Sequence, residues 1–100
     1  MEVRTTIAGN KATIELAGKL TVNALPDLEA ALDGLPPAVR DLDIVVSAVD
    51  YVSSAGLRLF VRASKLIMGR GGEFRLMHPC DTVWEVLEIT GFTDVFTVVR

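Results

Sequence analysis

Two stretches decide the fold: Leu42-Asp43-Ile44-Val45-Val46-Ser47 and, shortly after it, Tyr51-Val52-Ser53-Ser54-Ala55-Gly56-Leu57. The first is the strongest strand pattern in the chain. Its continuous β-branched centre, Ile44-Val45-Val46, predicts a central strand covered on both faces. The second stretch hands that strand to a helix over Ser54–Gly69, where Leu57, Phe60, Val61, Ser64, Ile67 and Met68 recur on one face and predict a core contact. Gly71-Gly72 ends the pattern and Phe74-Arg75-Leu76-Met77 reads as the next strand. A strand, a long helix and another strand make a crossover unit, which implies parallel pairing.

The flanks extend the alternation. Upstream, Val3–Ala8 and Ala12–Leu16 read as strands joined by a Gly9-Asn10 turn, with Gly18 ending the second. The connector Leu20-Thr21-Val22-Asn23 leads to a helix carrying Leu25, Leu28, Ala31 and Leu32, with Thr21 or Asn23 as its cap. Pro26 is tolerated in the first turn, and Gly34 and Pro36-Pro37 stop the helix. Downstream, Thr82 and Glu85 have capping-box spacing at the start of a third helix that ends at Gly91. Val95–Val99 reads as a final strand. The predicted class is α/β, one domain over residues 1–100, a mixed β-sheet with helices packed against it in the order β-β-α-β-α-β-α-β.

Composition narrows the function. With 100 residues, half of them hydrophobic, 6% aromatic and a mean hydropathy of +0.41, the chain holds one core, and buried strands account for much of the apolar excess. No apolar run approaches the ~20 residues of a membrane span, and Met1-Glu2-Val3-Arg4-Thr5-Thr6 has no signal core. The expectation is a cytoplasmic protein without direct membrane insertion. One cysteine, Cys80, and one histidine, His78, give neither an internal disulfide nor a transition-metal ligand set, and both read as structural. A net charge of −3 without a long basic cluster argues against nucleic acid as a partner. Gly69-Arg70-Gly71-Gly72 follows a helix, precedes a strand and lacks Gly-Lys-Ser/Thr, so it is a turn rather than a phosphate loop. With no base near a nucleophile and no cofactor loop, the chain reads as a non-enzyme without cofactors.

Only the Tyr51–Leu57 segment reads as a site. Backbone N–H groups at a helix start lack intrahelical partners and favour anions, so a serine there is either an ordinary cap or a residue open to modification. Gly56 leaves room for another backbone, its own or a partner's. Beyond the core face, Leu59 and Leu66 widen the apolar arc of this helix, while Arg58, Arg62 and Lys65 form a basic stripe. Leu59 and Leu66 either pack on a neighbouring helix or join a partner-binding patch beside Ser54. Trp84 reads as packing the third helix on the sheet.

The run Tyr51-Val52-Ser53-Ser54-Ala55-Gly56-Leu57-Arg58 resembles the signature of STAS domains, in particular the bacterial anti-sigma factor antagonists. Gly18-Lys19-Leu20 with Ala24-Leu25-Pro26-Asp27-Leu28, Gly71-Gly72, and Leu87-Glu88-Ile89-Thr90-Gly91-Phe92 are similar to further family segments in the same order. The resemblance spans essentially the whole chain. It implies a mixed sheet with packed helices and a partner-switching role: binding an anti-sigma factor with serine kinase activity, release on phosphorylation at Ser54, and restoration by a PP2C-type phosphatase. Ser53 is the less favoured acceptor. Partner contacts implied are Thr21, Ser53, Ser54, Gly56, Leu57, Arg58, Leu59, Arg62 and Leu66. Ser53 and Thr21 stand where the family often carries Asp, which bears on kinase recognition. The other role the resemblance allows is a cytoplasmic accessory subunit of a membrane transporter, for example of the ABC type that moves lipids.

Overall fold

In the computed structural model, which describes residues 1–100, five strands lie side by side in chain order: β1 (Glu2–Ala8), β2 (Lys11–Leu20), β3 (Asp41–Val52), β4 (Phe74–Met77) and β5 (Thr97–Val99). β1 and β2 form an antiparallel hairpin, and every later pairing is parallel. The crossovers are α1 (Leu25–Asp33), α2 (Ser54–Gly69) and α3 (Asp81–Ile89). The alternation of elements is the one the sequence predicts, and β3 is indeed central.

The expectation that β3 is covered on both faces is overturned. Each crossover steps one strand in the same direction across the sheet. Connections of one hand then place all three helices on the same face. Under them lie Ala12, Ile14, Leu16, Leu42, Ile44, Val46, Phe74 and Leu76, all buried. On the opposite face Lys11, Thr13, Val45, Arg75 and Met77 are half-buried, and Glu15 and Ser47 are exposed. The β-branched run of β3 therefore alternates between a helix-covered face and an open one.

Local boundaries differ from the sequence reading where special backbone intervenes. Gly18 does not end β2: at φ 113 it accommodates a bulge, the register shifts at Glu15/Ala17 and Gly18/Lys19, and pairing continues to Leu20↔Val52. Neither Thr21 nor Asn23 caps α1, because a 3-10 turn over Val22–Ala24 intervenes and puts Ala24 at the cap position. The Thr82/Glu85 capping box does not form. α3 starts two residues earlier than that cap would place it, behind Cys80, whose thiol donates to the Val49 carbonyl at 3.3 Å. Gly91 does take the left-handed conformation, φ 78, just past the end of α3. Val95 and Phe96 lie outside β5. Phe96 packs edge-on to Phe74 at 5.5 Å between ring centres and stacks on Phe92. Met68 is 64% exposed instead of core, and half-buried Trp84 lies beneath the Arg100 guanidinium at 4.6 Å instead of packing into the sheet.

The open face has one buried charge. Asp43 is 7% exposed, and its carboxylate accepts from Arg75 at 2.9 Å and pairs with Lys11 at 3.0 Å. Burial alone would raise its pKa, but the hydrogen bonds and positive charges of Arg75 and Lys11 together outweigh burial and hold it below the usual carboxylate value. A depressed folded pKa gives stability that is complete above about pH 4 and lost as pH falls through the folded value. Asp43→Asn is expected to cost roughly 1–2 kcal/mol at pH 7, since Lys11 and Arg75 then face each other at a partly solvated site. The difference from wild type in urea midpoints should shrink steadily below pH 4. A pH-independent difference would assign the loss to packing.

Candidate functional site

At one end of the sheet the carboxyl ends of β2 and β3 meet the start of α2. Leu20 pairs with Val52, and the Ser53 N–H donates to the Leu20 carbonyl at 2.9 Å, which fixes where the helix begins. Ser53 keeps an extended backbone, φ −72 and ψ 163, and its Oγ accepts from the Gly56 N–H at 3.1 Å. It is thus the N-cap, satisfying one of the free N–H groups of the first turn. With 8% of its surface exposed, Ser53 is closed to solvent. Ser54, the first helical residue, is exposed, and its hydroxyl has no hydrogen-bond partner within the chain. The two readings of a serine at this helix start therefore divide between neighbours: the buried one caps and the exposed one is free.

Gly56 does not serve a partner's approach. A Cβ there would lie 2.8 Å from Leu20 Cδ2 and 3.1 Å from Val52 Cγ1, so the glycine is used up in seating α2 against the strand ends. Leu57 and Leu59 are each only 6% exposed and belong to the core. The expected patch built from Gly56, Leu57 and Leu59 is therefore absent from the surface. The helix sinks deeper between α1 and the sheet than a narrow apolar stripe would require. Of the apolar candidates Leu66 alone reaches solvent, at 38%.

The basic stripe is also divided. Arg62 reaches α1 and pairs with Asp33 at 3.1 Å and Glu29 at 3.8 Å, so its charge is taken up between the helices. Arg58 and Lys65 are exposed and unpaired. Thr21 is half-buried at the same end of the sheet, its carbonyl accepting from the Ala24 N–H at 3.0 Å.

Two exposed apolar side chains at this end of the sheet were not among the expected partner contacts: Val22, 65% exposed, and Tyr51, 48% exposed, the latter at the start of the segment that reads as a site. Val22 sits on the 3-10 turn after β2, and Tyr51 lies opposite Lys19 at the end of β3. Neither carries a periodic signal, because each follows the last regular alternation of its segment. Beside them Lys19 pairs with Asp50 at 3.1 Å. This end of the sheet thus exposes Val22 and Tyr51 at the strand ends and Ser54 and Arg58 on the first turns of α2. No three His, Cys, Asp or Glu side chains come together anywhere in the chain, and no helix is long and apolar enough to cross a membrane.

The family described as "Mlab, STAS domain" matches residues 3–100. The anti-sigma-B factor antagonist of Bacillus subtilis is 29% identical over 89 residues, covering 89% of this chain and 82% of that protein. Among solved structures, an anti-sigma factor antagonist from Mycobacterium paratuberculosis superposes with a TM-score of 0.84 at 19% identity, over 99% of this chain and 85% of that one. The phosphorylated form of SpoIIAA, a Bacillus cell fate determinant, gives 0.76 at 17% identity, over 99% of this chain and 92% of that one. At these identities the structural likenesses speak for the fold.

Proposed function

The chain belongs to the STAS domain family, and on that premise we propose that it is an anti-sigma factor antagonist: a cytoplasmic, non-enzymatic single-domain module that binds an anti-sigma factor when unphosphorylated. The curated relative named as an anti-sigma-B factor antagonist supports the role. In this reading the anti-sigma factor is itself a serine kinase that phosphorylates Ser54, and a PP2C-type phosphatase restores the binding form. The observation that carries it is the division of labour at the helix start: Ser53 is buried as the cap, while the Ser54 hydroxyl is exposed and free. A phosphate adds about −1.5 to −2 charge at pH 7, which the helix N-terminus accommodates and an apolar contact does not. Incubation with the cognate kinase and ATP, followed by mass spectrometry, tests this directly. Phosphate on Ser54 is the expected result, and phosphate confined to Ser53 or none at all would refute it.

The contact surface in this proposal is Ser54 with Val22, Tyr51, Arg58 and Thr21, with Leu66 at its margin. Gly56, Leu57 and Leu59 shape it from below. Arg58→Glu is expected to slow association several-fold at low salt by loss of electrostatic steering, with the effect fading at high salt. An unchanged rate would make Arg58 a merely solvated charge. Arg62→Glu should act differently, loosening α1 from α2 by at most about 1 kcal/mol through its exposed ion pairs.

The second reading, an accessory subunit of a membrane transporter, is favoured by the Mlab description of the matching family and by the absence of a carboxylate at Ser53 and Thr21. Purification from the native cell separates the two. Recovery of an anti-sigma factor supports the first, and recovery of a transporter ATPase supports the second.

A further inference from the structure

The sheet has two edges, β1 and β5. β5 offers three residues, whereas β1 offers seven. β1 keeps unbroken register with β2 from Glu2↔Ala17 to Ala8↔Lys11 and contains no proline or lysine. It lacks the bulges, prolines and lysines by which exposed edges are commonly blunted. The hairpin geometry says which backbone groups face outward. Gly9, at φ 62, fills the first central position of a two-residue turn of type II′, so Ala8 and Lys11 form the hydrogen-bonded closing pair. By alternation Thr6, Arg4 and Glu2 also turn their N–H and C=O groups toward β2, and Val3, Thr5 and Ile7 turn theirs to solvent.

We propose that β1 pairs with β1 of a second copy of this chain, antiparallel and centred on Thr5, joining the two sheets into one. Centred there, the two-fold uses the whole strand. Thr5 meets Thr5 and Val3 meets Ile7 through the outward groups, while Arg4 faces Thr6 and Glu2 faces Ala8 between them. Neither charge meets its like. A centre at Arg4 would set two guanidiniums opposite each other at the closest cross-strand spacing, which is repulsive. Ile7, 46% exposed on the helix side of the sheet, is covered by Val3 of the other copy. Next to it a shallow groove between β1 and α1, lined by Met1, Val3, Thr5, Asp27, Ala30 and Ala31, gives the second chain room to approach over small side chains. The two-fold is closed, so it stops at a pair. It also reverses strand direction between copies, leaving the two Ser54 helix starts free at opposite ends.

Sedimentation of the whole chain from about 5 μM to about 500 μM tests this, a range that detects micromolar association. The expected result is a mass rising from 10.8 kDa to twice that value. Thr5→Pro removes an outward N–H that the β1–β2 ladder does not use, so it should remain monomeric with an unchanged circular dichroism spectrum. If that variant misfolds, Ile7→Lys, on an already exposed side chain, should weaken association at least tenfold. A monomer at the highest concentration, a mass growing past the dimer, or a dimer surviving both Thr5→Pro and Ile7→Lys would each overturn the proposal. The last outcome would place the contact elsewhere on the chain.

Discussion

Gly72→Ala is expected to lose about 3 kcal/mol or more of stability, a large fraction of what a domain of this size possesses. A Cβ at Gly72 would coincide with the backbone carbonyl of Arg40, and backbone cannot rotate aside as a side chain can. The surrounding junction leaves little slack. The Gly72 N–H donates to the Ile67 carbonyl at 3.1 Å, Leu42 N–H to the Glu73 carbonyl at 3.0 Å, and Glu73 N–H to Asp41 Oδ1 at 2.9 Å. Arg40 and Arg70 tie the same corner, donating to the carbonyls of Arg70, Pro36 and Val39. Relieving the clash must open the first pairing of β3 with β4, beneath which Leu42 and Phe74 are buried. Gly69→Ala is the control: nothing lies within 4 Å of a Cβ there, and alanine should be neutral to mildly stabilising in the last turn of α2. Urea unfolding of both variants checks the pair. A Gly72→Ala unfolding free energy within about 1 kcal/mol of wild type would mean that the β3–β4 corner yields far more easily than its hydrogen bonds imply.

Ser54→Asp is expected to weaken binding to the anti-sigma factor by about a hundredfold or more, close to 2.7 kcal/mol, with folding intact. The separation follows from position. At the first residue of α2 a carboxylate lies beside free N–H groups and the positive end of the helix, so stability should hold or rise by about 0.3–1 kcal/mol. In a complex the same charge must be stripped of water against a contact that includes Val22 and Tyr51, which is unfavourable without a cationic partner. Ser54→Ala should bind as wild type and resist phosphorylation. Ser53→Ala should behave differently, losing the cap to Gly56 and about 1 kcal/mol of stability. Calorimetric titration with matched circular dichroism distinguishes the three. Full-strength binding by a folded Ser54→Asp variant would end the switch reading and favour the transporter role.

Much of the fold is legible in the residues because its signals are local. Apolar spacing marks α2 from Ser54 to Gly69, alternation marks β4 over Phe74–Met77, and Gly9 and Gly91 supply the positive φ angles their turns require. Boundaries fail where a local rule has two outcomes. Gly18 could end a strand or bend it, and only the continued pairing of β2 with β3 selects the bulge. Thr82 could cap α3, but the Cys80 thiol reaching the Val49 carbonyl accompanies an earlier start.

The site divides along the same line. That a helix begins at Tyr51–Leu57 with serines at its first turn follows from the sequence alone, through cap preference and apolar period. Which serine is buried, which leucines remain outside and which arginine is already paired depend on three-body packing among α1, α2 and the strand ends. One-dimensional spacing specifies a direction around a helix, not the depth to which its neighbours bury it. Ser53 therefore caps while Ser54 stays free, Leu57 and Leu59 join the core, and Arg62 turns to Asp33. The open sheet face has the same origin. The β-branched run of β3 determines that a strand forms, but the uniform direction of three crossovers decides that only one of its faces is covered.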